Sequence, residues 1–223
     1  MCWIIGCVSD ADVVEVLIDG LRNMEYRGYD SAGFGVHDGN TIRVCKGVGR
    51  VDEIARSLDL KSFSGKIGLA HTRWATHGGV TQENAHPHLS CNGEVAVVHN
   101  GIIENYQAIK ARLESNGHKF RSTTDTEVIP HLIEEKLKAG KNHREAVLDA
   151  ARELKGSYAF LVLFRDLADR LYGVRKDAPL IIGLSERGNF LASDLLSFIK
   201  YTNKAVFLEN LEVAEIKRDS YII

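Results

Sequence analysis

The chain has 223 residues, of which 44% are hydrophobic and 26% charged, an ordinary balance for one large globular domain or two small ones. Its 28 basic and 30 acidic residues leave a formal net charge of −2, which removes the electrostatic case for nucleic acid or an anionic membrane as partner. No apolar run approaches the ~20 residues of a membrane span, and the apolar start stops at Val8 without a basic flank, so neither a membrane segment nor a secretory signal is expected.

In chain order, residues 3–7 predict a short buried strand. Asp12 and Glu15 suit a capping pair ahead of a helix whose Val13, Leu17, Leu21 and Met24 share one face, ending near Arg27-Gly28. Residues 32–37 and 41–46 flank Asp38-Gly39-Asn40, a hairpin signal. A helix over 50–58 and apolar strands over 66–72 and 95–100 follow. The polar stretch 73–93 between those strands is rich in Gly, His and Asn, and too long for a plain connector. Helices are predicted over 106–116, 127–139 and 143–154, closed by Gly117, Gly140 and Gly156. Strands over 157–165, 171–175, 180–184 and 189–192, a short helix over 194–199 and strands over 205–208 and 212–217 complete the chain. Hairpins at both ends with helices grouped between them favour an α+β sandwich over a parallel βαβ sheet.

Cys2 follows the initiator methionine. Once Met1 is removed, one residue carries both a thiol and a free α-amine, and the amine can serve as base for its own side chain. The α-amine titrates near 7.7–8.0 and the thiol near about 8.5, so the proton passes between them cheaply. The same position also suits an ordinary residue at the head of a buried strand. Polar groups gather in three further stretches, 71–78, 99–105 and 122–127, each where a strand stops or a helix begins. Arg73 can grip a carboxylate through paired hydrogen bonds, and Asp125 can hold an ammonium. Asn100 and the backbone N–H of Gly101 can form an oxyanion hole. Each also has a plainer reading: a surface ion pair for Arg73, a helix cap for Asp125, a turn for Asn100-Gly101.

Metal and phosphate signals are weak. His71, His77, His86 and His88 lack a Glu at the H-E-x-x-H spacing, and an extended His86-Pro87-His88 would point its rings apart. Cys2, Cys7, Cys45 and Cys91 contain no CxxC, so a thiolate zinc site is not expected and reduced thiols in a cytoplasm are. Gly47-Val48-Gly49-Arg50 completes no dinucleotide-binding pattern.

Several runs stand together in order: Met1-Cys2, Glu25-Tyr26-Arg27-Gly28-Tyr29-Asp30-Ser31-Ala32-Gly33, residues 71–78, residues 99–105, residues 124–128, Gly156-Ser157-Tyr158-Ala159 and Leu191-Ala192-Ser193-Asp194. With them the chain closely resembles, over essentially its whole length, the glutaminase domain of the glutamine–fructose-6-phosphate aminotransferase family. These are class II glutamine amidotransferases of the N-terminal nucleophile hydrolase superfamily. The resemblance implies a four-layer α-β-β-α sandwich of two stacked antiparallel sheets. It implies Cys2 as nucleophile, Asn100 and Gly101 as oxyanion hole, and Arg73, Thr76, His77 and Asp125 as ligands of the glutamine carboxylate and amine. Trp74 is implied at the junction with a synthase partner, on the ammonia path. The implied partners are L-glutamine and sugar-isomerase domains, with no cofactor and no metal. Residues 1–223 are expected to form the glutaminase domain alone, with the sugar-isomerase domains absent. One departure stands out: Trp3 occupies a position where the family usually has Gly, and a large ring there could crowd the nucleophile or alter the entry into the strand. Two rival readings are another amidohydrolase of the superfamily and a catalytically silent domain that docks on a synthase partner.

Overall fold

The computed structural model describes residues 2–25, 28–58, 63–75 and 77–223. Its first sheet contains β1 (Trp3–Ser9), β2 (Ser31–His37), β3 (Ile42–Val48), β4 (Ile67–Arg73), β9 (Ile181–Leu184), β10 (Gly188–Ala192) and β11 (Ala205–Phe207). Their spatial order is β11-β9-β10-β1-β4-β2-β3. The second contains β5 (His88–Leu89), β6 (Val95–Ile103), β7 (Gly156–Phe164), β8 (Arg170–Lys176), β12 (Val213–Lys217) and β13 (Tyr221–Ile222), in the order β13-β12-β8-β7-β6-β5. The paired strands within each sheet run antiparallel.

Alternation along β1 explains the layering. Trp3, Ile5 and Cys7 pack with α1 (Val14–Arg22) and with Val51 and Ile54 of α2 (Val51–Arg56), whereas Ile4 and Val8 pack with Val98, Leu161 and Leu171 of the second sheet. A strand with two buried faces reads as a continuous apolar run, because its period of two sends each neighbour into a different core. The second sheet buries its outer face under α3 (Tyr106–Ser115), α4 (Val128–Lys138) and α5 (His143–Glu153), through Leu113, Leu132, Val147 and Phe160. Four layers result, α-β-β-α, as the sequence led us to expect.

Local chemistry sets the element ends. Asp12 Oδ1 accepts the Val14 N–H at 2.8 Å, and its Oδ2 accepts the Gly65 N–H at 3.1 Å, so one carboxylate starts α1 and ties it to the entry of β4. Asn142 and Glu145 bond each other's backbone N–H at the start of α5, a capping box. Three differences from the sequence reading matter. The short strands β5 and β13 carry too few residues to show a period. The helix expected over 194–199 is only a 3-10 turn at Leu195–Ser197, capped by Asp194 Oδ1 on the Leu196 N–H at 2.9 Å. Strand β6 continues to Ile103, so Asn100-Gly101 lies within a strand and is not a turn. Among the described residues no helix is long and apolar enough to cross a membrane.

Candidate active site

The site lies where β1 begins and β4 ends. The register that pairs Trp3 with Thr72 brings Cys2 alongside Arg73 and the turn that follows it. Cys2 Sγ accepts the Trp74 N–H at 3.2 Å and stands 3.5 Å from the Trp74 carbonyl oxygen. Burial pushes the Cys2 thiol pKa up, and the Trp74 N–H bond opposes that shift. Trp3 is buried in the core beneath α1. Cys2 instead lines the cavity with His99, Gly101 and Asp125, away from the α1 core that holds the indole. The crowding expected from Trp3 therefore does not arise.

Arg73 is 4% exposed and donates to three backbone carbonyls, those of His77 at 2.5 Å, Gly79 at 3.1 Å and Gly78 at 3.4 Å. Among the described residues no carboxylate pairs with it, so its charge stays available to an anion. Asp125 is equally buried, and its Oδ2 accepts the Ile103 N–H at 2.7 Å. It caps no helix: the cap position of α4 is Glu127. Cys2, Arg73, Trp74, His77, Gly101 and Asp125 share one cavity of about 20 Å³, closed by His86, His99, Thr124 and Thr126. Asn100 is next to Gly101 on β6 but does not line this cavity. Thr76 lies outside the described residues. Trp74 is 52% exposed at the cavity mouth.

A bank of neutral histidines supports the site. Burial holds His71 near 3 and His99 near 4, and drives His86 and His88 well below their usual value. His71 Nε2 lies 3.2 Å from Asn100 Oδ1. An amide oxygen only accepts, so the neutral ring carries its proton on Nε2, and the Asn100 amide N–H₂ is turned away from His71. His71 stacks on His86 with centroids 4.0 Å apart, and His86 meets His88 edge-on at 4.8 Å. The rings of His86-Pro87-His88 thus converge, contrary to the extended geometry assumed from sequence. They bond to protein groups: His99 Nδ1 to Thr126 Oγ1 at 2.8 Å, His88 Nε2 to Thr124 Oγ1 at 3.1 Å, and His86 Nδ1 accepts the His99 N–H at 3.2 Å.

Two supporting residues escaped the sequence reading. Asp30 Oδ2 accepts the Ala75 N–H at 2.5 Å and the Asp30 N–H donates to the Arg73 carbonyl at 2.8 Å, which fixes the Trp74 turn over Cys2. Lys46 Nζ donates to the carbonyls of Ala85, Pro87 and Glu83 at 2.6–3.1 Å and holds the histidine loop against β3. Burial pulls Lys46 down to about 8. Only the run containing Asp30 offered a signal, and there it marked a family rather than a role. A larger cavity of about 560 Å³ lies at the other end of β1, between Cys7, Ser9, Arg187 and Tyr201. It brings no activated nucleophile beside an anion site, so chemistry rather than volume selects the smaller cavity.

Buried neutral histidines make stability depend on pH. The unfolded rings bind a proton near 6.5 and the folded His71 and His99 only near 3 and 4. The unfolded state therefore binds more protons below pH ~6.5, and the stability these groups hold above that value is lost as pH falls toward ~4. The thermal midpoint should decline steadily across this window in a pH series of calorimetric scans. A flat midpoint would contradict the burial of neutral rings.

The site's geometry can be set beside known proteins. A family model described as a glutamine amidotransferase domain matches residues 71–200. The chain is 48% identical over 223 residues to a glutamine–fructose-6-phosphate aminotransferase (isomerizing) of Thermococcus kodakarensis, and 47% identical over 220 residues to that of Acinetobacter baylyi. The two matches cover 100% and 99% of this chain but only 37% and 36% of those relatives. Among solved structures, a glutamine phosphoribosylpyrophosphate amidotransferase from B. subtilis superposes with a TM-score of 0.85 at 27% identity, covering 99% of this chain and 48% of that one. A class-II glutamine aminotransferase domain protein from Silicibacter pomeroyi shares the fold at a TM-score of 0.62 and 14% identity, over 100% of this chain and 97% of that one. With the family model matching more than half of the chain and a relative 48% identical over its whole length, the chain belongs to the glutamine amidotransferase domain family.

Proposed function

We propose that the chain hydrolyses the side-chain amide of L-glutamine to glutamate and ammonia. The observation that carries this reading is the convergence of the Cys2 thiol, the Arg73 guanidinium and the Asp125 carboxylate on one cavity. A cation and an anion match the two charged ends of a free α-amino acid, and the thiol stands where the side-chain amide would reach. A cavity of about 20 Å³ is water-sized, so glutamine requires the turn after Arg73 to shift outward. Breaking the Arg73 bonds to His77, Gly78 and Gly79 would free the guanidinium for the substrate carboxylate. His77 and Thr76 complete that grip.

In the proposed reaction Met1 has been removed and the Cys2 α-amine takes the thiol proton. The sulfur attacks the amide carbon. The Asn100 side-chain N–H and the Gly101 backbone N–H receive the oxyanion. The fixed tautomer of His71 supports this role, because it holds Asn100 Oδ1 and leaves the amide N–H₂ to the substrate. The α-ammonium returns its proton to the departing nitrogen, ammonia leaves, and water cleaves the γ-glutamyl thioester. No cofactor enters these steps. The chain spans little more than a third of its curated relatives, and in such a longer protein the ammonia would pass to fructose 6-phosphate on sugar-isomerase domains, with Trp74 at the junction. A cytoplasmic setting suits four free thiols.

Free glutamine should be converted to glutamate and ammonia, and asparagine should turn over about 10²-fold more slowly in kcat/KM. Its amide falls one methylene short of the sulfur, and misplacement by about 1 Å costs that much. A ¹H NMR time course with each amide checks this. Equal rates would favour a different amidohydrolase, and no turnover by chain whose intact mass lacks Met1 would favour a silent docking domain.

A further inference from the structure

Away from the glutamine cavity, three chain segments aim metal-type ligands at one point. Cys91 sits in the turn between β5 and β6, fixed by the Ser90 N–H to Val95 O bond at 2.9 Å and the Gly93 N–H to Ser90 O bond at 3.0 Å. His118 follows Gly117 at the end of α3, where its own N–H returns to the Leu113 carbonyl at 3.0 Å and that of Gly117 to Glu114 at 3.0 Å, the bond pair of a Schellman turn. His131 and Glu134 are three residues apart on α4 and so share one face. We propose that Cys91, His118, His131 and Glu134 bind one structural zinc ion.

Four of the six ligand–ligand edges match a tetrahedron, and the Glu134 carboxylate must close in on Cys91 and His131 to complete it. Zinc–nitrogen bonds of about 2.0–2.1 Å and a zinc–sulfur bond of about 2.3 Å give ligand edges of about 3.3 Å between nitrogens and about 3.6 Å between sulfur and nitrogen. His118 Nδ1 and His131 Nδ1 are 3.2 Å apart, and Cys91 Sγ is 3.6 and 3.5 Å from them. Glu134 Oε2 is 3.2 Å from His118 Nδ1, and no pair among the four ligand atoms exceeds 4.8 Å. Hydrogen bonds alone do not account for this triangle. Each ring nitrogen carries either a proton or one in-plane lone pair, so its three edges cannot all be well-formed bonds.

Glu134 supplies an independent observation. Its side chain is fully buried, and among the described residues neither carboxylate oxygen has a hydrogen-bond partner. A buried carboxylate in that condition is costly without a cation. Lys138 Nζ, 3.4 Å from Oε2, compensates only in part, since that lysine is itself 56% exposed. One thiolate, two imidazoles and a carboxylate suit zinc over magnesium or calcium, and four protein ligands leave no open position for catalysis. Binding displaces the thiol proton to solvent, and the Lys119 N–H, 3.5 Å from Cys91 Sγ, faces the resulting thiolate. Beyond the ligands, Glu127 Oε1 stands 3.7 Å from His131 Nε2, while the same carboxylate accepts the Arg121 and Ser122 N–H groups at 2.8 and 2.6 Å. The ion thus braces the loop that delivers Thr124, Asp125 and Thr126 to the glutamine cavity. Spacing draws the eye to the histidines of 71–88, where the metal signal is weak. These ligands come from three separate segments, of which only His131 and Glu134 have a helical spacing that could have flagged them.

The test uses the full chain, with metal content measured by inductively coupled plasma mass spectrometry after purification from zinc-supplemented cells. About one zinc per chain is expected, with Cys91→Ser and Glu134→Gln retaining about tenfold less or lower still. Chelator-stripped wild type titrated with Co²⁺ should develop strong visible d–d bands and a sulfur-to-cobalt charge-transfer band in the near ultraviolet. Cys91→Ser should lose the charge-transfer band. The wild-type cobalt spectrum keeps the proposal decidable even if a variant fails to fold. Wild type without stoichiometric zinc and without the charge-transfer band, or a band that survives Cys91→Ser, would overturn the site.

Discussion

Cys2→Ala should lower glutamine turnover by about 10⁴-fold or more, the scale on which enzymes lose rate when a covalent nucleophile is removed. The fold should survive. Cys2 precedes β1, and its thiol touches the backbone of a single residue, Trp74, among the described hydrogen bonds. The other thiols cannot take over. Cys7 faces α1, and burial alone drives its thiol pKa far above the usual range. Cys45 lies on β3 against Ser57 Oγ at 3.5 Å, and Cys91 belongs to the turn after β5. A glutamine-like diazoketone should therefore label Cys2 alone, as peptide mass mapping would report. Chain that retains Met1 should be as inactive as the variant, because its Cys2 nitrogen is an amide with no basic lone pair. Full turnover by material whose intact mass includes Met1 would refute the proposed base.

How far the sequence foretold this site depends on where each residue's partners come from. Elements were legible because both cores impose clear periods: Leu17 and Leu21 on α1, and the unbroken apolar run of β1, needed only local reading. Arg73 and Asp125 could be singled out as candidates because they stand in polar runs where a strand stops or a helix begins, although an ion pair and a helix cap were open to them as well. Trp3 drew attention only as a large ring next to Cys2 in the chain, and adjacency in sequence does not tell that its indole packs into the core with α1. The histidine bank was misread for a different reason. Its convergence depends on His71 from β4, His86 from a loop and His99 from β6 meeting between two sheets, which no spacing in the chain encodes. Asp30 and Lys46 act mainly on backbone groups of distant loops, and the one side chain that bonds Asp30, the neighbouring Ser31 hydroxyl at 2.9 Å, says nothing of that role.

Gly101→Ala should lower kcat by about 10²–10³-fold, the cost of losing one oxyanion donor. Gly101 has a φ of 116°, and a Cβ there would lie 2.0 Å from the Ser157 carbonyl oxygen of the paired strand β7. Backbone cannot rotate aside as a flexible side chain could, so β6 must shift or adopt another φ, and either change re-aims the Gly101 N–H. Glycine is required at this point for two reasons, the positive φ and the close approach. Gly39→Ala separates them. Gly39 has a φ of 98° at the tip of the hairpin between β2 and β3, and a Cβ added there would meet nothing within 4 Å. That variant meets the conformational penalty, of order 1 kcal/mol, without the clash. Its unfolding midpoint should fall while kcat stays at the wild-type value. Substrate binding gives the second discriminator. The Arg73 and Asp125 grip acts on the charged ends of the substrate in ground and transition states alike, whereas the Gly101 N–H acts on the developing oxyanion, so Gly101→Ala should change KM less than kcat. Steady-state kinetics on the two variants decides the matter: a Gly101→Ala enzyme with unchanged kcat, or one whose loss lies wholly in KM, would remove the Gly101 N–H from the oxyanion hole.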